Sequence, residues 1–196
     1  TYRDGRYTYN YSQIVQGFTV CEGNDAETLK SKVNAVKPAG ATQADYGMNR
    51  AKAALTSART NAKKVVIFFT DGTPTSGNTF EESVASDAVK TAKEIKDKGA
   101  EIYTVGIFSG AKPSAPVDND GTSRENKFMQ AVSSNYPNAT YSYTYDLFYV
   151  YDHWYFGGKA TGADYYLAAS SATELNNVFE SIFTSVSTLL PGPTHV

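Results

Sequence analysis

The stretch Val65-Val66-Ile67-Phe68-Phe69-Thr70-Asp71-Gly72 decides the fold. Its apolar run is β-branched and aromatic with no polar residue interleaved, the pattern of a parallel strand covered by helices on both faces. Asp-Gly then turns the chain. In an open α/β sheet, ligands settle outside the carboxyl ends of the strands. The stretch therefore reads as a buried parallel strand, Val65 to Thr70, that delivers Asp71 to a binding edge.

Helical and strand patterns alternate outward from it. Downstream, Glu81 to Lys98 places Val84, Ala88, Ala92 and Ile95 on one helical face, and Gly99 supplies the C′ residue. A strand is expected over Glu101–Phe108, then a short helix through Phe128, Met129 and Val132 and a strand over Tyr165–Ala168. Ser171-Ala172-Thr173-Glu174 is a capping box ahead of Leu175, Val178, Phe179, Ile182 and Val186. Upstream, Ala44 to Ala58 carries Met48, Ala51 and Leu55 on one face. Asn24 and Glu27 cap an earlier helix with Leu29, Val33 and Val36 at helical spacing, closed by Pro38. Gly17 to Cys21 reads as a strand, and Asp4-Gly5 as the turn of an opening hairpin whose second arm bears Tyr7, Tyr9 and Tyr11. The expected fold is α/β: a doubly wound, open, mostly parallel sheet with helices on both faces and one antiparallel edge hairpin. Residues 1–189 form one domain, and Pro191-Gly192-Pro193-Thr194 within 190–196 begins a linker or tail.

Composition narrows the function. A net charge of −2 with scattered Lys and Arg gives no footprint for nucleic acid. Apolar runs fall far short of the ~20 residues that cross a bilayer, so no membrane insertion is expected. Cys21 is the sole cysteine, which excludes an intramolecular disulfide and a cysteine zinc site. The start at Thr1, with no Met and no signal-like segment, reads as a fragment.

The helix from Ala44 runs back before Val65–Thr70, so its N-terminus lies at the strand's carboxyl end. Thr42, in Gly40-Ala41-Thr42-Gln43, should therefore share a face with Asp71. A hydroxyl and a carboxylate are hard oxygen donors suited to Mg²⁺, Ca²⁺ or Mn²⁺ rather than zinc or copper. Read alone, Thr42 is equally an N-cap and Asp71 a turn residue. Gln43, Gly72, Thr73, Ser109, Asp118 and Asp120 form the rim of the expected site. The acidic run Asp118 to Glu125 lacks the regular spacing of an EF-hand and reads as a solvated turn beside that site. From Tyr136 to Phe156, aromatic residues alternate with Ser142 and Thr144, which predicts a hairpin with one aromatic face that covers the sheet's own edge or packs on the tyrosines of the opening hairpin, with a second binding surface as the alternative. Chain order places it at the end opposite Asp71. His153 and His195 have no Cys or His at ligand spacing.

Gly40-Ala41-Thr42 leading into Asp45 to Ala51, then Val65 to Gly72, then Ala100 to Ile107, together resemble the von Willebrand factor A family over roughly Gly17 to Leu189. The closing Asp164 to Ser170 with Glu174-Leu175 looks most like the version in surface and pilus-tip proteins of Gram-positive bacteria. The resemblance implies a metal-ion-dependent adhesion site made of an Asp-x-Ser-x-Ser, a Thr before a helix and an Asp after a strand. Thr42 and Asp71 match the last two, and Asp-x-Ser-x-Ser does not occur in the chain. The family places that motif on a central strand before the first hairpin, so an N-terminal strand and helix are expected to be missing. Cation binding by this chain alone should then be weak or absent. The implied function is a non-catalytic extracellular adhesion module of the bacterial cell surface or cell wall, binding a host or matrix protein or another surface protein.

Two alternatives stand beside it. One is an intracellular family relative serving as an assembly subunit of an ATPase-associated complex. The other is a phosphatase, since Thr70-Asp71-Gly72-Thr73 resembles the haloacid-dehalogenase signature; there the nucleophilic carboxylate lies two residues before Asp71, where this chain has Phe69.

Overall fold

The computed structural model describes residues 2–4, 7–9, 12–37, 40–71, 73–77 and 79–187. Among these, β3 (Val65–Thr70), β4 (Glu101–Gly106) and β7 (Tyr166–Ala168) form a parallel sheet in the order β3-β4-β7. Val65 to Thr70 pair in register with Glu101 to Gly106, and Thr104 to Gly106 with Tyr166 to Ala168. The expected hairpin forms from β1 (Tyr2–Asp4) and β2 (Tyr7–Tyr9), but as its own two-stranded sheet. Its Gly5 lies outside the described residues, as do Tyr11 and Pro38.

Period-two alternation along β4 divides the core. Ile102 and Thr104 face α3 (Glu82–Asp97) and α4 (Arg124–Val132), packing with Ala88, Val89, Phe128 and Met129. Tyr103 and Val105 face the opposite side, against Ile182 of α5 (Ala172–Ser187). Helix α2 (Ala44–Leu55) docks on α3 through Met48, Ala51 and Leu55. Burying such side chains stabilises by roughly 1.5–3 kcal/mol each, so the α3 side holds most of the driving force. Helix α3 ends in a Schellman motif: Gly99 adopts φ +78°, and Gly99 and Ala100 donate N–H to Lys96 and Ile95.

Several expectations are corrected. The sequence run in β3 is that of a doubly covered strand, yet Ile67 and Phe69 are 42% and 45% exposed. They point to the α5 face, which a single helix covers, where Phe179 meets Phe69 at 6.3 Å and Phe183 is open. Gly17 to Cys21 forms no strand, because no described strand offers it a ladder; Phe18 and Val20 are exposed. Helix α1 (Gly23–Asn34) forms but buries none of its residues, so its apolar stripe lies open. The capping box at α5 shifts by one residue: Ser171 Oγ accepts from Glu174 N–H, while the Glu174 carboxylate reaches Ser170 N–H and Oγ.

The largest correction concerns the aromatic hairpin. Strands β5 (Thr140–Tyr145) and β6 (Val150–Tyr155) pair as expected, and their inward face stacks Tyr141 on Trp154 at 3.9 Å. Chain order places this hairpin at the end opposite Asp71, but it climbs alongside α3 toward the carboxyl edge. Ser86 Oγ donates to Tyr141 C=O, and Arg124, first residue of α4, bonds Asp152, Tyr141 Oη and Glu82. Both α3 and α4 begin at the strand carboxyl ends, so the hairpin tip rises to that edge. Leu147 and Phe148 there are 83% and 81% exposed.

Candidate functional site

The edge beyond β3 and β4 is built from two loops and the start of α2. Thr75 N–H donates to Thr42 C=O at 3.0 Å, which joins the segment before α2 to the loop after β3. Thr42 and Gln43 are half-buried; Gln43 is the N-cap residue of α2 but makes no side-chain cap. Asp71 is exposed at the strand end. Gly72 lies outside the described residues. Thr73 Oγ1 bonds Glu125 at 3.3 Å, which ties the same loop to the start of α4.

Between the two loops lies a cleft of about 670 Å³. Asp71, Thr73 and Ser109 line it, whereas Thr42 and Gln43 stand outside its wall. In the acidic run the wall comes from Asn119, Gly121, Thr122, Ser123 and Glu125, not Asp118 and Asp120, and Gly121 N–H closes onto Asn119 Oδ1 at 2.8 Å. Sequence reading missed the residue that shapes this cleft. Asn126 is buried; its Oδ1 accepts from Lys112 N–H at 2.7 Å and Tyr166 Oη at 2.8 Å. Its Nδ2 donates to Gly110 C=O at 2.9 Å and to Ser123 Oγ at 3.0 Å. An Asn three residues after a Ser N-cap carries no signal that it will hold a loop.

Asp45 was also missed as a special position. It is 8% exposed, and one carboxylate oxygen has no partner. Burial raises its pKa, Asp87 and Glu81 add to that, and the backbone N–H groups of Tyr46 and Asp45 oppose it. Glu81 is held below the usual carboxylate range, chiefly by Ser76 Oγ.

Mg²⁺ or Ca²⁺ would need six or more oxygens, several of them carboxylate. Among the described residues no three His, Cys, Asp or Glu gather to hold a metal. Thr42 and Asp71 have the right donor chemistry but make an incomplete set.

A three-layered α/β domain with converging loops at the strand carboxyl ends is a ligand-binding class of fold. A family model for the von Willebrand factor type A domain matches residues 3–148. The chain belongs to that family. Among solved structures it is similar to the pilus adhesin SpaC from Lactobacillus rhamnosus GG in its open conformation, at 17% identity and a TM-score of 0.53. That match covers 84% of this chain and 21% of SpaC, so this chain spans about a fifth of that protein. No curated protein sequence matches the chain.

Proposed function

We propose that this chain is an extracellular adhesion module of a bacterial cell surface. It binds a host or matrix protein at its strand carboxyl edge through a divalent cation to which Thr42 and Asp71 contribute. The observation that carries the reading is the Thr75–Thr42 hydrogen bond, which brings the Thr42 segment onto the loop that begins at Asp71. Family membership and the likeness of fold to a pilus adhesin support it.

The remaining ligands would sit on a further strand paired to β3. Among the described residues, strand β3 has the features of an acceptor: an edge with no charged residue or Pro, and exposed Ile67 and Phe69. Natural edges are normally blunted against pairing, and this one is not. A strand seated there would end beside Asp71 and could place carboxylate and hydroxyl groups at the cation.

The test uses the full-length polypeptide that contains this chain, on immobilised fibronectin, laminin and collagen, in Mg²⁺ and in chelator. Expected is adhesion that chelator abolishes and that Asp71→Ala or Thr42→Ala weakens. Adhesion that is indifferent to chelator and to both substitutions would refute the cation mechanism.

A further inference from the structure

The cleft beside Asp71 has a chemistry of its own. Its volume lies within the roughly 300–1,000 Å³ of small-molecule sites. The residues along its walls carry carboxylates (Asp71, Glu125), an ammonium (Lys112), a carboxamide (Asn119), hydroxyls such as Thr73, and the ring of Phe108. Such a wall suits a ligand that is polar on all sides yet has a C–H face. Two carboxylates against one ammonium oppose a phosphate or a free carboxylate. A lipid chain or an apolar side chain would strand these polar groups without partners, which opposes its binding.

We propose that the cleft is a saccharide site. It takes one or two uncharged hexose or N-acetylhexosamine rings by direct hydrogen bonds, with Phe108 against the C–H face of a ring. Glu125 and Asp71 accept from sugar hydroxyls, while Lys112 and the Asn119 amide donate. The site is built before the ligand arrives: three bonds of Asn126 fix the 110–123 loop at both ends, a fourth ties Asn126 to Tyr166 of β7, and Thr73–Glu125 fixes the opposite wall. Such preorganisation lowers the cost of binding. The proposal requires no cation and does not rest on the adhesion reading.

The test is a ¹⁵N–¹H NMR titration of the chain, in chelator, with N-acetylglucosamine, galactose, mannose and lactose. Expected are amide shifts confined to 71–77 and 106–126 for at least one sugar. Asn119→Ala and Glu125→Gln should each weaken binding about tenfold, with the spectrum elsewhere unchanged, and Tyr155→Ala on the outer hairpin face should leave it unaltered. Absence of shifts with all four sugars would overturn the proposal, as would shifts centred on 140–155. A parallel titration with N-acetylneuraminate in Mg²⁺ that shows binding, with no neutral sugar bound in chelator, would overturn it while leaving the cation reading standing.

Discussion

Arg124 is the anchor that holds the aromatic hairpin at the carboxyl edge, and its removal should be costly in a defined way. Its guanidinium meets Glu82 at 2.6 Å and Asp152 at 2.7 Å, and lies 3.9 Å from the centre of the Phe80 ring. Glu82 and Asp152 expose 11% and 21% of their side chains, so Arg124→Met strands two poorly hydrated carboxylates. Breaking a fully buried pair costs about 3–5 kcal/mol. Arg124 is 34% exposed, which screens the pairs and brings the figure to roughly 2–3 kcal/mol. Loss of the cation–π contact adds about 0.5–1 kcal/mol. Trp154, the one tryptophan of the chain, stacks on Tyr141 within this network and reports hairpin release directly. Urea unfolding followed by Trp154 fluorescence should show a loss of about 3 kcal/mol and a native emission already shifted to the red. Replacing all three partners, Arg124→Met with Glu82→Gln and Asp152→Asn, should recover much of the loss, because no charge is then left unpaired. A single variant that loses under about 1 kcal/mol with unchanged emission would refute the anchoring role.

Two further substitutions test other buried charges. For Asp45, a folded pKa above the unfolded one means that the native state binds the extra proton, so this group costs stability as pH rises above about 4. Asp45→Asn should therefore stabilise at pH 7, and the gain should shrink on acidification; urea midpoints at pH 7 and pH 4 measure it. Lys96 donates to the carbonyls of Ala131, Ser133 and Tyr136 at 2.7 to 3.1 Å, closing the end of α4, and burial pushes its pKa down to about 7. Between that value and its unfolded pKa the unfolded chain binds more protons, so wild-type stability should rise with pH above 7 relative to Lys96→Met. At pH 6 the Met variant should be less stable by about 2 kcal/mol, since three carbonyls lose a donor; equal midpoints at pH 6 and pH 9 would contradict this.

How far the chain declared itself can be seen in β3 and the aromatic hairpin. The strand Val65–Thr70 and the helix through Val84, Ala88, Ala92 and Ile95 were legible because their periodicities are set by burial on faces that exist in this chain. The exposure of Ile67 and Phe69 was not, because hydrophobic pattern records the packing a strand is suited to and not whether a partner is present. Gly17 to Cys21 fails as a strand for the same reason. The hairpin's residues and facing were readable from alternation, but its location was misjudged. Chain order fixes where a segment begins, while the Arg124 contacts to Glu82 and Asp152, distant in sequence, fix where it goes. At the site, Thr42 and Asp71 stood out by their place around a strand and a helix. Asn126 did not, since its role resides in four partners that only the folded loop brings together.

Among the described residues β3 lies at the sheet edge and the donor set at Asp71 is incomplete, and the two are one physical situation. A divalent cation gives up hydration only for several well-placed oxygens, and Thr42 with Asp71 cannot supply enough of them. A strand paired on β3 would cover Ile67 and Phe69 and end at the same level as Asp71. Any donors on it would be fixed by the ladder rather than by a mobile loop. Cation binding would then strengthen strand pairing, and strand pairing would strengthen cation binding by the same factor, because coupling between two sites is reciprocal. On the proposed cation mechanism, metal affinity at this edge would therefore be a property of the completed sheet and not of Asp71 alone.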